Sequence, residues 1–213
     1  MNYSRRCIPG LFWLLAVTAF LFSFTSTSRA AEANTLVIVS HPYPEQEANT
    51  LVIVSHPYPE QSVMTKGLEA AAQSVPGVTV RNLEALYGFD TRNINADEER
   101  RLMREHSRIV FIFPTHWFNI TPMMKAWLND TWGSVGPGVW QGKEMLIVTT
   151  AAGGDATYGE TGRTGVSLAD VFTPMKASAL HAGMTWLPPL VFQRASRDQL
   201  PEYQRQLVER LKN

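Results

Sequence analysis

The chain has 213 residues with 19 basic and 19 acidic side chains, so no global field points to nucleic acid as a partner. One cysteine and scattered histidines provide neither a disulfide framework nor metal-ligand spacing, so no metal site is expected. The length suits one ordinary domain once any targeting segment is set aside.

The first thirty residues differ from the rest. Arg5 and Arg6 precede an apolar run from Leu11 to Phe24, and Ser28-Arg29-Ala30 resembles a small-residue cleavage site. These are the three regions of a secretory signal peptide. Ser4-Arg5-Arg6 also resembles the opening of a twin-arginine signal, with Ile8-Pro9 replacing the usual aromatic–leucine pair. The expectation is an exported, periplasmic protein. The alternative is a membrane anchor formed by residues 8–24, although the run is shorter than the ~20 residues a spanning helix prefers. Cleavage after residue 30 would remove Cys7 and leave 16 basic against 19 acidic residues.

Glu32–Gln46 reads EANTLVIVSHPYPEQ, and Glu47–Gln61 repeats it letter for letter. Two identical copies do not make a solenoid, which needs at least three stacked units. Only the second copy runs directly into the helical pattern SVMTKGLEAAAQSV, so Leu51–Ser55 is expected to be the true first strand. Residues 31–46 are then expected to form a loosely ordered tail, and 47–213 the folded domain.

From there strands and helices alternate. The pattern predicts a strand at Leu51–Ser55, a helix around Ser62–Ser74, a strand at Val78–Leu83 and a loop through Asn95. Next come a helix at Asp97–His106, a strand at Ile109–Phe113, a helix at Pro122–Trp132 and a strand at Met145–Thr150. A glycine-rich loop over 151–165 leads to a helix around Ser167–Ala182, a strand near Met184–Leu187 and a closing helix at Pro201–Leu211. Such alternation means parallel strands joined by right-handed crossovers. Five strands suit an α/β, flavodoxin-like, doubly wound five-stranded parallel sheet of order 2-1-3-4-5 with helices on both faces. No GxGxxG or GxxxxGK[ST] follows any strand, which argues against a dinucleotide fingerprint and a P-loop.

In that topology the ends of strands one, three and four meet on one rim, and each carries an unusual loop. After strand one, Ser62 can cap the next helix and leave the N–H groups of Val63, Met64 and Thr65 facing outward. A helix start of that kind binds phosphate through backbone donors and the helix dipole. A plain capping serine is the alternative. After strand three, Thr115, His116, Trp117, Phe118 and Asn119 form an aromatic turn before Pro122, which suits the first turn of a helix. Aromatics at a strand's carboxyl end suggest a flat, partly apolar ligand, and an aromatic cluster closing the core is the alternative. After strand four, Thr149-Thr150-Ala151-Ala152-Gly153-Gly154 can bring backbone amides close to a planar ring edge, or can be a simple flexible turn. Together the three loops describe a pocket for FMN.

The motifs SHPYPEQS, FPTHWFNITPMMKAW, TTAAGG and LHAGMTWLPP resemble the NAD(P)H:quinone oxidoreductase family over residues 51–190. They are most similar to its small branch containing the ancillary proteins of glutathione-gated potassium efflux systems. The resemblance implies an FMN-dependent NAD(P)H dehydrogenase (quinone). His56, Ser62, Val63, Met64 and Thr65 would hold the ribityl phosphate end. Thr115, His116, Trp117 and Phe118 would lie along the isoalloxazine, and Thr150, Ala151, Ala152 and Gly153 would bind its pyrimidine edge. NADH or NADPH would be the co-substrate and a quinone or similar small molecule the acceptor, with Tyr158 as the catalytic donor to the quinone oxygen. The chain departs from the family pattern at Ala151 and Ala152, where relatives often carry glycine. Tyr158 falls one residue late, and Arg163 lies where some relatives place a histidine. The family also implies a homodimer, for which exposed Trp127, Trp132 and Trp140 would suit the interface; core packing is the other reading of those residues. A flavin-binding regulatory subunit of a membrane transporter and a one-electron flavodoxin-type carrier are the alternatives. A transporter partner fits poorly with export.

Overall fold

The computed structural model describes residues 49–132 and 139–213. The expected export segment and the first copy of the repeat lie outside the described residues. In chain order the elements are β1 (Thr50–Val54), α1 (Val63–Gln73), β2 (Val78–Asn82), α2 (Leu83–Tyr87), α3 (Ala96–Glu105) and β3 (Arg108–Pro114). They continue with α4 (Pro122–Trp132), β4 (Glu144–Thr150), α5 (Thr173–His181), β5 (Thr185–Trp186), β6 (Leu190–Phe192) and α6 (Leu200–Lys212).

The strands run parallel in the order β2-β1-β3-β4-β5, the expected doubly wound arrangement. The second copy of the repeat supplies β1, paired on both sides, with Val52 opposite Val80 and Val110. All five of its residues are buried, as a strand covered on both faces requires.

Side chains alternate between two cores, following the two-residue period of a strand. Leu51, Ile53, Ile109, Phe111, Phe113, Met145 and Ile147 face one layer with Met124 and Trp127 of α4 and Met175 of α5. Val52, Val54, Val110, Ile112, Leu146 and Val148 face the other, with Leu68 and Ala72 of α1 and Leu207 and Leu211 of α6.

Three expectations need correction. The segment read as a loop through Asn95 contains α2, capped by Asn82 and ended by Gly88 at φ 64°, and a short 3-10 turn at Thr91–Asn93. The helix expected from Ser167 begins at Thr173, because Pro174 lacks the N–H that a helix interior needs; Asp170–Phe172 is a separate 3-10 turn. The last strand is split. β5 pairs with the start of β4 and β6 with its end, and between them Pro188-Pro189 has no N–H to donate to the ladder.

The tryptophans expected at a surface are mainly core residues. Trp127 and Trp140 are buried and Trp132 half-buried, and Trp140 meets both others edge-on at 6.4 and 4.4 Å between ring centres. Trp127 fills the space beside Phe111, where a large apolar ring gains most from burial.

Candidate functional site

The carboxyl ends of β1, β3 and β4 are adjacent, and the loops that leave them are tied to one another. Thr115 N–H donates to the Thr150 carbonyl at 2.8 Å, joining the second loop to the third. Thr115 Oγ1 and Thr149 Oγ1 lie 2.9 Å apart, and Thr149 Oγ1 donates to the Phe113 carbonyl. Tyr58 and His116 meet edge-on at 6.0 Å, joining the first loop to the second. The predicted rim is therefore brought together.

In the first loop, Ser62 is buried and its hydroxyl accepts the N–H of Thr65 at 3.2 Å, closing the N-terminus of α1. Thr65 N–H, expected to face outward, is therefore taken by the cap. Val63 and Met64 keep N–H groups with no acceptor among the described residues. They form the positive end of an eleven-residue helix dipole. His56 Nδ1 accepts the Tyr58 N–H at 2.9 Å, which leaves the ring proton on Nε2. Burial, with His116 close by, holds the His56 imidazole below its ordinary range, so it stays a neutral donor.

The second loop is a two-residue hairpin. His116 and Asn119 exchange both backbone hydrogen bonds at 3.1 Å, and Trp117 and Phe118 between them have φ of 48° and 59°. Two left-handed residues in a two-residue loop define a type I′ turn, a conformation that favours Asn and Gly. Two bulky aromatics there are strained, and strain of this kind concentrates at functional sites. The turn leaves the Trp117 and Phe118 N–H groups without acceptors among the described residues and stands Trp117 out into solvent at 86% exposure. Phe118 packs edge-on against Tyr158 at 5.8 Å.

The third loop needs one correction. Ala151 N–H, expected to serve a ligand, donates to the Phe192 carbonyl, and the Ala151 carbonyl accepts from Ala195 N–H. The second half of the broken edge strand thus takes over that residue. Ala152 and Gly153 retain N–H groups without acceptors among the described residues. A Cβ at Gly153 would lie 3.0 Å from Tyr158 and 3.1 Å from Thr157, so the chain passes closely over those side chains. The Tyr158 ring is buried, and its hydroxyl has no partner among the described residues. Burial raises the phenol pKa, and Arg163 opposes the rise.

Beneath the first two loops lies a buried polar chain that the sequence reading missed. Ser55 Oγ donates to Glu84 Oε1 at 2.7 Å and makes a short contact with Thr121 Oγ1, which accepts the Met124 N–H at 3.2 Å. It ties the end of β1 to α2 and to the start of α4. The one sequence signal was Asn82 with Gly88, the two caps of the unrecognised helix that carries Glu84. A cavity of about 490 Å³ opens between α4 and α5, lined by Ile120, Leu128, Trp132, Phe172 and Met175 among others. It touches the rim only at Asn119 and Ile120, and none of the residues with unclaimed amides lines it.

What the rim offers is a set of unclaimed backbone donors on three loops, an exposed aromatic wall and a neutral imidazole. That inventory fits a flat ring carrying one phosphate: a capped helix start for the phosphate and amide pairs for ring oxygens and nitrogens. Fold and rim together place the protein in the flavodoxin-like class of α/β proteins. A family model for the flavodoxin-like fold matches residues 48–212. The uncharacterized NAD(P)H oxidoreductase YdeQ of Bacillus subtilis strain 168 is 33% identical over 167 residues, 76% of each protein. The crystal structure of general stress protein 14 from Treponema denticola in complex with FMN superposes with a TM-score of 0.70 at 28% identity, over 76% of this chain and 97% of that one. A thermophilic tryptophan halogenase structure from Streptomycin violaceusniger gives 0.69 at 32% identity, over 75% and 96%. The chain belongs to the flavodoxin-like NAD(P)H oxidoreductase family.

Proposed function

We propose that the protein binds FMN on this rim and transfers hydride from NADH or NADPH to a quinone or a related small electrophile. The observation that carries the reading is the convergence of unclaimed amides at Val63, Met64, Trp117, Phe118, Ala152 and Gly153 on one edge of the sheet. Bound there, FMN would supply a ring that accepts hydride from the nicotinamide and passes it to the acceptor.

The chain's own residues do the rest. The α1 N-terminus and the His56 Nε2–H hold the phosphate end. The Trp117–Phe118 turn supplies amides along the ring and an aromatic wall on which a second planar molecule stacks. Ala152 and Gly153 aim amide dipoles at the ring edge that gains negative charge on reduction. Tyr158, a phenol that is protonated at neutral pH and whose pKa burial raises further, donates a hydrogen bond to an acceptor oxygen. The relatives named above carry three different names, so the quinone assignment rests on the stacking wall and on the sequence motifs. Homodimerisation and export belong to the same proposal; the apolar side chains Leu128, Trp132, Phe172 and Met175 in the mixed lining of the cavity between α4 and α5 support the first and residues 1–30 the second.

The test is spectroscopic. Full-length protein loaded with FMN is expected to lose its visible flavin band on adding NADH or NADPH and to regain it rapidly when a quinone follows. A flavin band that ignores both nucleotides would favour the regulatory or one-electron carrier reading, and failure to bind FMN would remove the redox assignment. Light scattering of the same sample reads the oligomeric state, and cell fractionation reads the location.

A further inference from the structure

Resting on the FMN reading, we propose that Arg194 supplies a fixed positive charge that favours the reduced over the oxidised form of the bound flavin. Arg194 follows β6, and its backbone N–H donates to the Gly153 carbonyl at 3.0 Å. Its side chain lies across Gly154: a Cβ at that glycine would be 2.3 Å from Arg194 Nε and 2.6 Å from its Cγ. A side chain at position 154 would have to displace the arginine from that place. The backbone of Arg194 has φ 49°, a left-handed conformation that is strained for a residue with a side chain.

Arg194 sits in the turn that follows β6, fixed by its own N–H on the Gly153 carbonyl and by the Ala195 N–H on the Ala151 carbonyl, and from there its stem runs over Gly154. The guanidinium makes no ion pair among the described residues, not even with Asp155, which directly follows Gly154. An unneutralised, permanently charged group is therefore held against the same turn whose Ala152 and Gly153 amides are unclaimed. Hydride brings two electrons and one proton, so the ring gains one net negative charge, spread toward the edge those amides face. A cation fixed beside that edge lowers the energy of the reduced state and leaves the neutral oxidised state almost unaffected.

The experiment is a reductive titration against a reference dye, together with direct titration of oxidised FMN into the full chain. Arg194→Gln removes the charge at similar length. Arg194→Gly removes it while relieving the left-handed φ, so that variant has no backbone reason to misfold. Both are expected to bind oxidised FMN within about twofold of the parent. Both should bind the reduced form about tenfold more weakly relative to the oxidised, a potential lower by about 30 mV for two electrons. Arg194→Lys should recover most of the difference. Unchanged potentials in both neutral variants with FMN still bound would overturn the role of Arg194 and leave the FMN reading standing. A parent protein that binds no FMN would overturn both.

Discussion

Two buried carboxylates in one corner of the molecule are treated in opposite ways. Glu99 of α3 is fully buried and receives Arg81 through Nε at 3.1 Å and Nη2 at 2.6 Å, together with the Tyr87 hydroxyl. The cation answers the anion. Burial works against the Arg81 charge, but the hydrogen bond and charge of Glu99 outweigh it and raise the pKa. Tyr87 is pushed up to about 12 by burial and by the same carboxylate. Glu84 of α2 is nearly as buried and faces no cation among the described residues: the Ser55 hydroxyl donates to it, with Thr121 beyond and backbone N–H groups close by, and in both acids Oε2 has no partner among the described residues. Where the chain only holds itself together its buried charge is matched, and beneath the rim of the site it is not. The same contrast separates the relaxed strands from the strained Trp117–Phe118 turn.

Breaking the matched pair should have the largest effect. Glu99→Gln leaves the Arg81 guanidinium, whose side chain is 19% exposed, without its counter-charge. Removing one partner of a buried pair typically destabilises by ~3 kcal/mol or more. Denaturant unfolding should show a lower midpoint with an unchanged slope, and a loss under 1 kcal/mol would mean that the pair is better solvated than its burial implies.

The rim predicts the opposite sign. Trp117 is 86% exposed, so Trp117→Gly forfeits little burial and relieves a left-handed residue. Thermal unfolding should register a gain of about 1 kcal/mol, while quinone reduction by the FMN-loaded protein falls. A variant both less stable and fully active would end the argument that strain is held there for function. Ser62→Ala tests the relaxed part of the same rim: it removes the cap on Thr65 and should destabilise by about 1 kcal/mol, with weaker FMN binding.

The sheet was legible because β1, β3 and β4 are continuous apolar runs bounded by prolines, glycines and polar turns, and burial on both faces demands such runs. The three loops were legible for the same reason, since topology alone brings their ends together. Which amides remain free was not legible. Thr65 N–H is consumed by a side chain three residues back, and Ala151 N–H by β6, a strand hidden behind Pro188-Pro189. The left-handed turn was invisible because Trp-Phe is the reverse of the residue pair that normally signals it. Arg194 gave no signal at all, its importance depending on a glycine forty residues earlier in the chain.

The smallest effect sharpens the comparison most. Desolvation raises the Glu84 pKa above its ordinary 4.5, against the opposing pull of the Ser55 hydroxyl and of nearby backbone N–H groups. The folded protein therefore holds the proton more tightly than the unfolded chain does. That contribution to stability is complete below the ordinary carboxylate range and is lost as pH climbs through the raised folded value. Glu84→Gln keeps the shape and carries no charge at any pH. Below the window, parent and variant should differ by less than about 1 kcal/mol, the net worth of one altered hydrogen bond. Above it the variant should be the more stable, with the difference opening only across that interval. If the Glu84→Gln difference is flat from acid to neutral pH, the carboxylate beneath the rim is compensated after all, and the contrast between the two acids is lost.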